Sequence, residues 1–139
     1  MYGLPAVARV CFGCIYVAAD QLCICPDGRR RTVMRWLCAV LLSGNLLRYG
    51  VIYPFVKGVV MLPVEFSPVA YFLVPAILLT SKRRLRSWAA YSGLMAGFFY
   101  YLAMIAAGGV IYGAYAPLDI YISMFCHGSI YFCGFVTIG

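Results

Sequence analysis

The chain has 139 residues, of which 65% are hydrophobic and only 11% charged, and its mean hydropathy is +0.92. Soluble domains carry about a quarter charged residues, so the composition excludes that class and reads as a membrane protein. The formal charge of +7 does not point to nucleic acid, because most basic residues sit in two short clusters between apolar runs, Arg29, Arg30, Arg31 with Arg35 and Lys82, Arg83, Arg84 with Arg86. There they serve as topology signals facing anionic headgroups.

The first apolar segment, about residues 6–25, holds Arg9 and Asp20. It lacks a basic leader and a small-residue cleavage site, which predicts a retained span and not a signal peptide. Pro26, Asp27 and Gly28 form a turn signal. A second span, about 36–55, contains Asn45 and Arg48, neither suited to face lipid, and Pro54, Lys57 and Gly58 end it. The third, about 59–80, carries Pro63, Glu65, Ser67, Pro68 and Pro75.

A fourth span, about 88–112, combines aromatic residues with Gly93 and Gly97. That small-xxx-small spacing permits close helix approach, either within the chain or as a homo-oligomer contact. Tyr112 to Pro117 reads as a loop with interfacial tyrosines, and the fifth span, about 118–138, carries Asp119, Ser123, His127 and Tyr131. The fold class that follows is an all-α polytopic transmembrane helical bundle of about five spans. It forms a single domain over 1–139 and a multi-pass protein of the cell membrane, with membrane lipids as its partners. Both basic clusters then fall on one side, which puts the N-terminus outside and the C-terminus inside. The end at Gly139, with no polar tail, is expected of a compact or truncated protein.

Cys11, Cys14, Cys23, Cys25, Cys38, Cys126 and Cys133 all lie in or beside apolar segments. Disulfide frameworks belong to secreted chains that are polar between their cysteines, so buried small apolar residues are the expected role. Cys11 and Cys14 have redox-motif spacing, and with Cys23 and Cys25 they could be drawn as four metal ligands; no metal is expected.

Glu65 is the anomaly of the third span. A charge in hydrocarbon costs at least ~2.5 kcal/mol and needs a partner or a wet cavity. At about 1.5 Å per residue, Glu65 and Ser67 lie roughly 9 and 12 Å below the outer boundary, His127 roughly 13 Å, and Arg48 in the same outer half. The plain reading is a Glu65–Arg48 ion pair and a packing histidine bonded through Ser123 or Tyr131, four residues to either side. The sharper one is a site. Pro63 and Pro68 bias Leu62 and Ser67 away from helix, and broken backbone at membrane depth lines protein or water.

Arg30, Trp36, Asn45, Arg48, the run Leu62-Pro63-Val64-Glu65-Phe66-Ser67, the run Phe72 to Thr80, and Cys126-His127-Gly128 together resemble the YwaF-type integral membrane proteins of bacteria. That family is similar to the eukaryotic transmembrane acyltransferase of ether-lipid metabolism and, more remotely, to the androgen-induced membrane hydrolases. Its pattern of Leu-Pro-x-His-x-Cys followed later by His-Gly implies an intramembrane nucleophile at Ser67 and a histidine base at His127. Ser67 stands where the family has cysteine, and Glu65 where it has histidine. Such relatives also continue with further spans.

Two functions are therefore expected. In the first, a lipid acyl hydrolase or acyltransferase, Ser67 attacks an acyl ester and His127 moves its proton. Arg48 or Asn45 steadies the oxyanion or a lipid phosphate, Glu65 orients, and no cofactor takes part. In the second, a non-enzymatic carrier or assembly subunit, Arg48, Glu65 and His127 form a binding or structural layer.

Overall fold

The computed structural model describes residues 3–58, 66–80, 83–111 and 117–139. These form five helices: α1 Leu4–Cys23, α2 Asp27–Leu47 continued by a π-helical segment Arg48–Val56, α3 Phe66–Thr80, α4 Arg83–Ile111 and α5 Pro117–Ile138. Among the described residues four stretches are long and apolar enough to cross a membrane, Leu4–Cys23, Asp27–Val56, Arg84–Ala107 and Leu118–Ile138. The chain is an all-α membrane protein. α3 has 15 residues, a length of about 22 Å against ~30 Å of hydrocarbon; residues 59–65, the first part of the expected third span, lie outside the described residues, as do Tyr112 to Ala116 of the expected tyrosine loop.

Three boundaries differ from the sequence expectation, each for a local reason. α2 begins at Asp27 and not at Trp36. Pro26 is extended there (φ −53°, ψ 144°) and ends the previous helix. Asp27 then opens α2 with an acidic first turn, closed by a 3.0 Å bond from Arg30. Acidic groups are favoured at helix N-termini, so the arginine cluster rides on the helix itself. Pro54 does not end the second span either. The chain passes it in π-helical form, with the Lys57 amide donating to Ile52 at 3.0 Å, and stops at Gly58, whose φ of +65° suits glycine. Finally, Ser67 is helical. Pro68 follows in the first turn of α3, where its missing N–H would have no partner anyway.

α5 is the hub, packing against each of the other four helices. Its direction relative to them is fixed by pairwise contacts. Gly93 meets Ile130, Gly97 meets His127 and Tyr131, and Gly134 meets Ala90, so α4 runs antiparallel to α5. Cys38 beside Cys133 and Asn45 beside Cys126 make α2 antiparallel as well. Ile15 against Gly128 with Cys23 against Gly139 makes α1 parallel. Tyr71 at His127, with Val74 reaching the Gly93–Ile130 contact, does the same for α3. The helices alternate in direction along the chain. The arginines that begin α2 and α4 therefore gather at the end of the bundle where α5 finishes.

Glycine makes the α4–α5 seam. A Cβ on Gly93 would stand 2.5 Å from the Ile130 carbonyl oxygen, and one on Gly97 would stand 2.7 Å from that of His127 and run into the Tyr131 Cβ. The Gly93 and Gly97 face is thus filled by α5 of the same chain. α1 and α2 instead lie at the periphery and turn large apolar side chains outward, among them Trp36 at 70% and Phe55 at 82% exposure. In water such a surface would be untenable; in a bilayer it is the lipid-facing side.

Candidate functional site

The helix register brings polar side chains into one layer across the bundle. His127, 3% exposed on α5, is its centre. Its Nδ1 lies 2.9 Å from the carbonyl oxygen of Ser123, one turn back on α5. The hydroxyl of Tyr71 on α3 lies 2.7 Å from Nδ1 and 3.2 Å from Nε2. A ring protonated on Nδ1 donates to the Ser123 carbonyl and keeps Nε2 as its acceptor, with the Tyr71 hydroxyl within hydrogen-bond reach of both nitrogens and the Ser123 hydroxyl 3.4 Å from Nδ1. Tyr100 of α4 stacks flat on the imidazole, with centroids 3.6 Å apart and planes 9° from parallel, while Tyr71 meets it edge-on. Three helices thus close on one ring.

Asn45 adds α2 to the layer. It is 2% exposed, and its Nδ2 donates to the Leu41 carbonyl at 2.8 Å and to Cys126 Sγ at 3.6 Å. Cys126 Sγ in turn donates to Asn45 Oδ1 at 3.8 Å. An amide carrying both donors and acceptors is costly to bury alone, and the thiol beside His127 gives it a partner.

Toward the end of the bundle where α5 begins lies a second polar group. Arg48 Nη2 stands 3.5 Å from Asp119 Oδ1, and Lys57 Nζ reaches the two oxygens of the same carboxylate at 3.1 and 3.0 Å. The Tyr53 ring serves both cations, at 5.2 Å from each. Glu65, expected to pair with Arg48, lies outside the described residues; among the described residues the carboxylate partner of Arg48 is Asp119. Its position was open to the same depth argument, since Asp119 begins the fifth span at the level where Arg48 and Lys57 end the second.

Ser67 and His127 are not joined. With Tyr71 level with His127 and Val74 level with Ile130, Ser67 falls level with Ser123, about 6 Å along the axis from the imidazole. The hydroxyl that reaches the ring belongs to Tyr71, one turn further along α3. Sequence reading passed over Tyr71 because it sits in an apolar aromatic run, and passed over Tyr100 for the same reason. Tyr131, a candidate partner for His127 by spacing, instead packs against Phe12 and Phe135.

The Arg48–Lys57–Asp119 cluster is testable directly. Arg48, Lys57 and Asp119 side chains are 13%, 45% and 27% exposed, between the surface and buried limits, so Asp119→Asn is expected to destabilise by about 1–2 kcal/mol. Adding Arg48→Met should recover part of the loss, because it removes the cation left without its partner. Thermal unfolding in detergent measures both; an unchanged midpoint for Asp119→Asn would mean the carboxylate holds nothing.

Comparison with known proteins adds no relative: no family model, curated protein or solved structure matches the chain. The resemblance to the YwaF-type proteins therefore stands on its motif residues alone. Among the described residues no group of three or more His, Cys, Asp or Glu side chains is placed to hold a metal.

Proposed function

We propose that this protein is a non-enzymatic multi-pass subunit of the cell membrane, whose intramembrane polar side chains hold its own helices in register. The observation that carries this reading is His127. Its ring is 3% exposed and occupied by the Ser123 carbonyl, the Tyr71 hydroxyl and the Tyr100 face. A catalytic base needs its acceptor nitrogen turned toward a substrate or a nucleophile; here the Tyr71 hydroxyl lies against both ring nitrogens, 2.7 Å from Nδ1 and 3.2 Å from Nε2. Asn45, Arg48, Lys57 and Asp119 likewise spend their polar groups on one another and on the backbone. The broad apolar faces of α1 and α2 suit lipid or a neighbouring subunit, and the basic clusters suit the cytoplasmic side.

A second reading, an acyl hydrolase or acyltransferase with Ser67 as nucleophile and His127 as base, draws on one specific observation. Ser67 is half-buried on the same face of α3 as Tyr71 and level with Ser123, whose hydroxyl lies 3.4 Å from His127 Nδ1. A one-turn shift of α3 would bring Ser67 to the ring. Glu65 and the family's nucleophile position enter that reading through the resemblance.

Labelling with a fluorophosphonate carrying a long alkyl chain separates the two. In membranes holding the wild-type chain, the structural reading expects the same background signal as with Ser67→Ala and His127→Ala. A signal present in the wild type and lost in both variants would replace it with the hydrolase.

A further inference from the structure

On the α2–α5 seam, seven residues from the Asn45–Cys126 pair along both helices, two further thiols meet. Cys38 Sγ and Cys133 Sγ are 3.8 Å apart, each side chain is 1% exposed, and neither forms a disulfide. The seven-residue step is two helical turns, so both pairs lie on the same stripe of each helix, with Leu41 and Ile130 buried between them. Of the other free cysteines, Cys126 is buried beside Asn45, and Cys11, Cys14, Cys23 and Cys25 are half-buried or exposed.

We propose that Cys38 and Cys133 form an oxidisable dithiol, and that its oxidant is a bilayer-soluble quinone. The sulfurs need to close from 3.8 Å to about 2.05 Å, a movement within the reach of two side-chain rotations on packed helices. Burial decides the class of oxidant. Water-soluble oxidants are kept out of an apolar seam, whereas an apolar acceptor dissolved in the bilayer concentrates in the lipid against which peripheral α2, the helix that carries Cys38, turns its apolar side chains. The step balances as two thiols for one disulfide. One sulfur adds to the quinone ring; the second attacks that sulfur and breaks its bond to the ring, forming the S–S bond. Two S–H bonds are lost, and the quinone leaves as hydroquinone with both electrons and both protons. The 3.8 Å spacing makes the second displacement intramolecular, which favours it over hydrolysis or a stalled adduct.

Oxidation would tie α2, which carries Asn45 and Arg48, to α5, which carries Cys126, His127 and Asp119. The seam could no longer part, so the polar layer would be fixed in place by a covalent bond close to it. This inference does not depend on whether the layer is structural or catalytic.

The test uses the full-length protein in lipid vesicles. After treatment with decylubiquinone, the protein is denatured, alkylated with N-ethylmaleimide and mapped by mass spectrometry. The proposal expects alkylation to fall by two thiols per chain, at Cys38 and Cys133, with one hydroquinone formed per chain and full alkylation restored by a reductant. In Cys38→Ser, Cys133 should remain fully alkylated. Undiminished labelling of both cysteines in the wild type overturns the proposal. So does protection of Cys133 that persists in Cys38→Ser, since its partner would then lie elsewhere. The wild-type measurement stands even where the variant folds poorly.

Discussion

Gly97→Ala is expected to destabilise the bundle by about 1–3 kcal/mol, the cost of overpacking a tight seam, and Gly134→Ala by a similar amount. The neighbours of both are backbone. A methyl on Gly97 meets the His127 carbonyl oxygen at 2.7 Å as well as Tyr131, and one on Gly134 meets the Ala90 carbonyl oxygen and the Leu94 amide. Backbone cannot rotate aside, so α4 and α5 must separate. His127 would then lose the Tyr100 ring stacked on it. Gly13 and Gly44 make the contrast: both are helical with nothing within 4 Å, and alanine there should be neutral or stabilise by about 0.5–1 kcal/mol through helix propensity. Thermal unfolding of the four variants in one detergent measures the pattern. Equal midpoints for the Gly97 and Gly13 variants would place the α4–α5 contact elsewhere.

Much of this architecture could be read from the residues, and the parts that could not share a cause. Composition and apolar run length identify a helical membrane bundle, because only helices satisfy their own backbone in lipid without closing a barrel. The basic clusters identify the end at which α2 and α4 begin. Gly93 and Gly97 announce a close approach, although spacing alone does not choose α5 over a second chain. What depth could not supply was rotation and register. Arg48, Ser67 and His127 share a layer by depth, yet a helix turns about 100° per residue, so equal depth leaves open which side chains face one another. Register is decided by where the helices can touch, and the α3–α5 contact puts Tyr71, not Ser67, against the imidazole. Hydropathy profiles also hide helix starts, which is why the second span reads as beginning near Trp36 when the arginines after Pro26 already form the first turns of α2. Cys38 and Cys133, 95 residues apart, carried no local signal of their meeting.

A second effect of similar size concerns the hydrogen bond at the centre of the layer. Tyr71→Phe removes one oxygen and leaves the ring in place, so His127 loses its acceptor's partner inside an apolar bundle. A buried polar group stripped of its bond costs about 1–3 kcal/mol. His127→Leu should cost as much or more, since it leaves the Tyr71 hydroxyl without its partner and removes the ring stacked on Tyr100. Combining the two removes donor and acceptor together, and a pair replaced by apolar groups of similar shape can approach neutrality. Substitutions at catalytic residues behave differently, because such sites trade stability for activity and their removal often leaves a protein as stable or more so.

The most direct measurement of the central claim, that the intramembrane polar layer holds the helices, is therefore the double-mutant cycle of thermal stability over Tyr71→Phe and His127→Leu in lipid or detergent. The account predicts that each single variant unfolds at lower temperature and that the double variant loses less than the sum, with a coupling of about 1–2 kcal/mol. Independent effects that simply add, or a Tyr71→Phe variant as stable as the wild type, would contradict it.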